Sequence, residues 1–230
     1  MPDERLVGWA VITLQLKGSD FPNEVLGPVL ALADRTVRRM RSLLTELRID
    51  VALPDEAVER ELDALHERWF LSGASLYTPV GLRLPGHHLI FKTREADGEY
   101  FIYAVDPVAN KLAAYIVMSR LIEVNRRADR HLRSPHAKVA IAYRRRGITS
   151  AVYRWWLASG RSLMSGARQS PAAHELWGAL ATDYRMIYVS VAGKGISVIT
   201  PPLSNADEDN IDTRVVLLGS GCRPELFVAK

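Results

Sequence analysis

Apolar positions along the chain follow two periods, and the changes between them mark its elements. Residues 6–16, which contain GWAVITLQL, alternate in part and are rich in β-formers, so they predict a strand that Gly18-Ser19-Asp20-Phe21-Pro22 breaks. From about Gly27-Pro28 to Arg48, Val29, Leu30, Val37, Met40, Leu44 and Leu47 recur at helical spacing, with Arg35, Arg38, Arg39 and Ser42 on another face. A second helix is expected from Pro54 to Trp69. Val58, Leu62, Leu65 and Trp69 form its stripe, and acids crowd its first turn, where the helix dipole favours them.

Leu71 to Leu84 is punctuated by Gly73, Pro79 and Gly81 and reads mostly as loop, with room for a short strand. Strands are expected at His88–Thr93 and Glu99–Val105. After a turn from Asp106-Pro107 to Asn110-Lys111, a long bent strand follows at Leu112–Val124, which completes an antiparallel meander. Arg126–Pro135 reads as a polar, basic connection and Ala137–Ala142 as a short strand. Ile148–Ser159 reads as a helix closed by Gly160, and Ser162–Ser165 as a brief strand. Ser170 before Pro171 is a strong helix start, a hydroxyl cap followed by proline at the first helical position. Ala173, Leu176, Trp177 and Leu180 give that helix its apolar face. A hairpin, Arg185–Val191 with Gly195–Thr200, follows, and the tail offers one more strand at Arg214–Leu218.

Helices interspersed with hairpin-linked strands give the fold class: α/β in the α+β sense, a mixed, mostly antiparallel central sheet flanked by helices. One domain is expected over residues 1–200, with a C-terminal extension, residues 201–230, that adds one strand. The length of 230 residues, 48% hydrophobic and 24% charged, agrees with one large packed domain. The lone cysteine, Cys222, excludes an internal disulfide and a cysteine-based metal cluster. His87 and His88 are adjacent on a strand and point to opposite faces, so no metal site is assigned. The N-terminal residues do not form a signal peptide and no stretch is apolar enough to span a bilayer, so a cytoplasmic protein is expected. The net charge is +4, with arginines grouped at 38–41, 126–133 and 144–146. That balance admits nucleic acid as a partner without favouring it. A dimer is compatible with it as well.

Chemistry concentrates in residues 139–180. A strand running through a tight turn into a helix presents unpaired amides at the helix start, and with the dipole these form an anion site. Gly147 allows close approach to the backbone, and Arg144, Arg145 and Arg146 add charge and forked donors. A pyrophosphate suits such a site.

Here the chain resembles the GCN5-related N-acetyltransferase (GNAT) superfamily, as a divergent bacterial or phage-type member. That family's cofactor motif is Gln/Arg-x-x-Gly-x-Gly/Ala after a strand often written Val-x-Pro-x-Tyr. Val139-Ala140-Ile141-Ala142-Tyr143 keeps the spacing, with Ile141 where proline is common, and Arg144-Arg145-Arg146-Gly147-Ile148-Thr149 matches until Thr149. A second family element, Asn-x-x-Ala-x-x-Leu/Phe-Tyr, is similar to Ser170-x-x-Ala173-x-x-Leu176-Trp177. The resemblance implies binding of acetyl-CoA or another acyl-CoA by Ile141 to Thr149, Ser170 and Trp177, and acyl transfer to an amine acceptor. It implies an oxyanion held by a backbone N–H near Ile141, and contact of Ser165 with cofactor or substrate where the strands splay. The tyrosine that often serves as acid is replaced by Trp177, whose indole only donates. Ser165, Tyr184 and Glu123 are the catalytic candidates, with Tyr143 or a water also able to supply the acid. His136, Asp106 and His88 join Glu123 as candidate bases. Three other readings stay open: an acyl-CoA-binding protein with little catalysis, an acyltransferase acting on nucleic acid or an aminoacyl adduct, and an interaction protein that reuses the fold.

Overall fold

The computed structural model describes residues 54–71, 77–167, 169–201, 203 and 210–228; the strand read at 6–16 and the helix at 27–48 lie outside them. The chain divides into two compact units, Met1–Val51 and Ala52–Lys230, and the architecture below is that of the second.

Helix α1 spans Asp55–Leu71, with Asp55 and Glu56 in its first turn as the dipole argument requires. Strand β1 is the short Thr78–Pro79. The meander follows as β2, Ile90–Ala96, β3, Glu99–Asp106, and β4, Lys111–Ser119. Asp97, Gly98 and Asn110 take positive φ at its turns, the backbone that a tight reversal requires.

β4 stops at Ser119, short of the expected Val124, and Arg126–Pro135 is not a plain connection. Arg126–Asp129 form a one-turn helix, α2, capped by Asn125, whose side chain accepts from the Ala128 amide at 3.0 Å. Strand β5 then covers Leu132–Val139 rather than Ala137–Ala142. Pro135 looks like a breaker in sequence but sits where its missing N–H costs nothing. Ala140 N donates to Ala113 O of β4 at 3.0 Å. Amide direction alternates along a strand, so Ser134, His136 and Lys138 also address β4, while Pro135, Ala137, Val139 and Ile141 address the opposite edge. Ile141–Tyr143 then curl into a single 3-10 turn.

Helix α3, Ile148–Ala158, and strand β6, Ser162–Met164, come next, with Gly160 at φ 84° in the left-handed position between them. Helix α4 spans Pro171–Leu180, and β7, Met186–Ala192, forms a hairpin with β8, Gly195–Ile199. The strand expected in the tail is β9, Thr213–Leu217. It lies inside the sheet, whose order is β1-β2-β3-β4-β5-β6-β9-β7-β8. Pairing is antiparallel throughout except between β5 and β6, so the sheet is mixed and mostly antiparallel, with helices on both faces.

On one face, Val58 and Leu62 of α1 pack against Tyr77, Tyr103, Val105 and Leu112. On the other, Ile148, Val152 and Trp156 of α3 and Trp177 and Leu180 of α4 cover Ile102, Ile116 and Met118. Each such large side chain taken from water stabilises the fold by roughly 1.5–3 kcal/mol.

The parallel pair is short. Leu132 is paired with Ser162 and Arg133 with Leu163, and there the ladder ends, although β5 continues to Val139. Ser165 keeps its strand with β9 instead: its amide donates to Val215 O at 2.8 Å and its Oγ accepts from Val215 N at 3.0 Å. The sheet therefore parts between β5 and β6, and the wedge opens toward the C-terminal ends of both strands.

Candidate functional site

At the mouth of the wedge the chain runs from β5 into α3. Arg144 is extended at φ −63°, Arg145 is left-handed at φ 59°, and Gly147 is left-handed at φ 78° as the cap of α3. Glycine is needed at 147 for that backbone angle; an added Cβ would meet nothing closer than Leu84 Cδ1 at 3.9 Å. Ile148, 2% exposed, anchors the helix start in the core. Ala151 donates to Gly147 O at 2.9 Å, whereas the amides of Gly147, Ile148, Thr149 and Ser150 find no backbone acceptor among the described residues. These donors and the dipole of an 11-residue helix face outward together.

The three arginines have different surroundings. Arg144 pairs with Asp55 of α1 at 2.7 Å and reaches back to Val139 O at 3.3 Å. That contact holds the Asp55 carboxyl below its ordinary value. Arg146 lies over the Tyr143 ring at 5.2 Å, and the Tyr143 hydroxyl donates to Asp106 Oδ2 at 2.8 Å. Asp106 Oδ1 accepts from the amides of Val108 and Ala109 at 2.9 and 3.0 Å. The Ala109 amide, then the Tyr143 hydroxyl, pull the Asp106 carboxyl below its usual range, while desolvation first and Asp106 second raise the Tyr143 phenol. Arg145 has no side-chain partner among the described residues.

Helix α1 borders the same mouth. Glu59 Oε1 accepts from the Ile141 amide at 2.7 Å, and Glu61 pairs with Lys138 of β5 at 2.5 Å. In sequence Asp55 carries only the dipole signal of a first-turn acid, and Glu59 and Glu61, one turn further on, carry no signal of their own. The available clue was the i, i+4 spacing of Asp55 and Glu59, which puts both on one helix face.

Ile141, Ala142, Tyr143, Arg144, Arg145, Arg146, Gly147, Ile148 and Thr149 therefore come together as one loop and helix start. Ile141 is half exposed and Ala142 is exposed as well. Ser170 caps α4, its Oγ accepting from Ala173 N at 3.2 Å. Trp177, 5% exposed, packs in the core beside Leu180. Ser165 is buried at the wedge, its Oγ also donating to Gly166 O at 3.0 Å. Tyr184 and Glu123 are not brought to the loop. Tyr184 precedes β7 and its hydroxyl donates to Arg154 O at 3.1 Å. Glu123 lies in the turn after β4, the 8-residue length of β5 away from the loop, about 23 Å at the rise of a strand. Asp106 and His88 stand at the loop end of the sheet, with the His88 charge felt at Asp106. His136 lies on β5, where burial, then Lys138, push its imidazole down. Among the described residues no group of three or more His, Cys, Asp or Glu could hold a metal ion, and no helix is long and apolar enough to cross a membrane.

No family model matches the chain and no curated protein matches it in sequence. Among solved structures it is similar to a GNAT superfamily phosphinothricin acetyltransferase from Sinorhizobium meliloti in complex with AcCoA. The match has 16% identity and a TM-score of 0.33, over 58% of this chain and 72% of that one.

Proposed function

We propose that the chain is an acyl-CoA-dependent N-acyltransferase of GNAT type, working in the cytoplasm on an amine. The observation that carries this reading is the parting of β5 from β6 directly before an anion-binding helix start. A long ligand with a phosphate head and an amide-bearing arm fits that pair of features. The amides of Gly147 to Ser150 would hold its pyrophosphate, aided by arginine charge. The edge of β5 turned toward the wedge, with the Ala137 and Val139 amides and the Ala137 carbonyl, would take the arm as a further strand takes its neighbour.

The reaction needs no covalent enzyme intermediate. The amine nitrogen attacks the thioester carbonyl carbon, the carbon–sulfur bond breaks, and the thiolate leaves. The carbonyl oxygen gathers negative charge meanwhile, and an amide of the open edge, at or near Ile141, would stabilise it. The proton released by the amine must pass to a base, and Asp106 and His136 are the named candidates nearest to the loop and to the open edge of β5. Trp177 packs in the core and cannot protonate the leaving thiolate, so that proton would come from water in the wedge.

Acetyl-CoA binds only folded protein, so it should raise the melting temperature in a concentration-dependent way, and a primary amine in excess should then release free thiol. A melting temperature that stays fixed up to millimolar acetyl-CoA would remove this reading.

A further inference from the structure

The edge of β5 that faces the wedge carries amides at Ala137, Val139 and Ile141, two residues apart and all turned away from β4. Glu59 of α1 occupies the outermost of them at 2.7 Å. The same helix is tied to the mouth on either side of that contact, by Asp55 to Arg144 at 2.7 Å and by Glu61 to Lys138 at 2.5 Å. The carboxylate therefore holds the outermost amide of that edge, six residues before the Gly147 cap of α3.

On the acyl-CoA reading above, we infer that Glu59 gates the wedge: its carboxylate holds the Ile141 amide in the free protein and must release it before the arm of a CoA thioester can lie along β5. Carboxylate and ligand compete for one donor. A charge-assisted hydrogen bond is the stronger kind, so its loss on entry weakens ligand binding by a measurable factor. Once released, Glu59 becomes a free anion at the rim of the wedge.

Ile141 gives a second handle on the same contact. It is the first residue of a 3-10 turn, and Ala140 before it has φ −59° and ψ 143°, a backbone that precedes proline readily. Ile141→Pro deletes the donor that Glu59 uses and leaves the path of the chain intact. Glu56, exposed on the same helix and without a described contact to the loop, reports the effect of charge alone.

The experiment is calorimetric titration of CoA into the full chain and its variants at fixed salt. Glu59→Ala should tighten CoA by about three- to tenfold, the size expected for one relinquished hydrogen bond, whereas Ile141→Pro, which takes the donor from carboxylate and ligand alike, should leave affinity within about twofold of wild type. Glu59→Gln, which keeps an uncharged acceptor, should fall between wild type and Glu59→Ala. Adding Glu59→Ala to Ile141→Pro should give no further gain, because the contact it relieves is already gone. Glu56→Gln should change affinity by less than about twofold, as a distant exposed charge does. An unchanged affinity in Glu59→Ala overturns the gate, as does an equal gain in Glu56→Gln, which would assign the effect to charge. Additive gains in the double variant overturn it too. If Ile141→Pro fails to fold, the three glutamate variants still decide the matter. CoA binding to neither wild type nor any variant would instead bring down the acyl-CoA reading, and the gate with it.

Discussion

The two ends of the β5–β6 pair are made of the same strands and treat polar groups in opposite ways. At the closed end, Leu132 and Leu163 are fully buried, and the polar groups beside them are largely paired within the protein, Arg133 Nε being a buried exception. Asp129, 7% exposed, accepts from Leu121 N and Arg120 Nε, both at 2.9 Å, and lies 3.4 Å from Arg133. Ser162 N donates to His131 O at 3.2 Å, and Ser162 Oγ accepts from Gly219 N at 3.0 Å. At the open end a strand edge, four helix amides and one guanidinium have no backbone or side-chain acceptor among the described residues apart from Glu59. A buried polar group without a partner costs about 1–3 kcal/mol, which favours pairing at the closed end. The open end meets water and can stay incomplete, which is the condition for binding something else. One end serves the fold, and on the proposed reading the other is left for a ligand.

That contrast predicts which substitutions unfold the protein and which only empty it. The largest effect belongs to the closed end. Asp129→Ala strips the acceptor from a buried amide and the counter-charge from two guanidinium groups, and should cost about 3 kcal/mol in urea denaturation. A loss below about 0.5 kcal/mol would mean that apolar packing alone holds that end. Gly147→Asp acts at the other end. It places a carboxylate and a Cβ on the left-handed residue at the anion site, and CoA affinity should fall about a hundredfold or more while the fold loses only about 1 kcal/mol. A folded variant with wild-type affinity would show that the loop does not hold phosphate.

Smaller effects divide the arginines. Arg145→Ala should weaken CoA about tenfold, as the loss of a charge-assisted phosphate contact does. Arg144→Ala should change affinity much less and instead speed hydrogen exchange in α1, because its partner is Asp55. Equal effects of the two on CoA would erase the distinction drawn between them. The last case tests the core beside the wedge. Trp177→Phe should lower stability by about 1–2 kcal/mol and leave the single-turnover acyl-transfer rate near wild type. A large fall in that rate with stability unchanged would give the indole a chemical role.

Much of this was legible in the sequence where local physics decides. The hydroxyl and proline at Ser170-Pro171, the glycine at 147 before an apolar helix, and the alternation in Glu99–Val105 all carry their mechanism on their face, and the elements stand where those signals put them. The start of β5 was not legible, because Pro135 signals a break unless one knows which edge of the strand faces a gap. That is a property of pairing, and pairing is not local. The same holds for Glu59 and Asp55: a helix acid looks alike whether it faces water or, as Glu59 does, a loop 82 residues further on. Tyr184 and Glu123 were credible by residue type, and only the direction of the strands shows them at a distance from the loop.

The place of β9 bears on how the molecule is made. Leu163 and Met164 of β6 pair with Leu217 and Val216, and Met186 to Ser190 of β7 pair along its other side, so a late strand is the central plank between two earlier ones. During synthesis β6 and β7 must wait, each with a row of unpaired backbone groups, until residues 213–217 clear the ribosome. Such non-local closure is slow compared with the local hairpins of β2, β3 and β4. The nascent chain would thus hold a finished meander beside two sticky edges, the state in which chains pair with the wrong neighbour. The opening between β5 and β6 would be framed on one side long before the other, and the binding wedge would be among the last features of the molecule to exist.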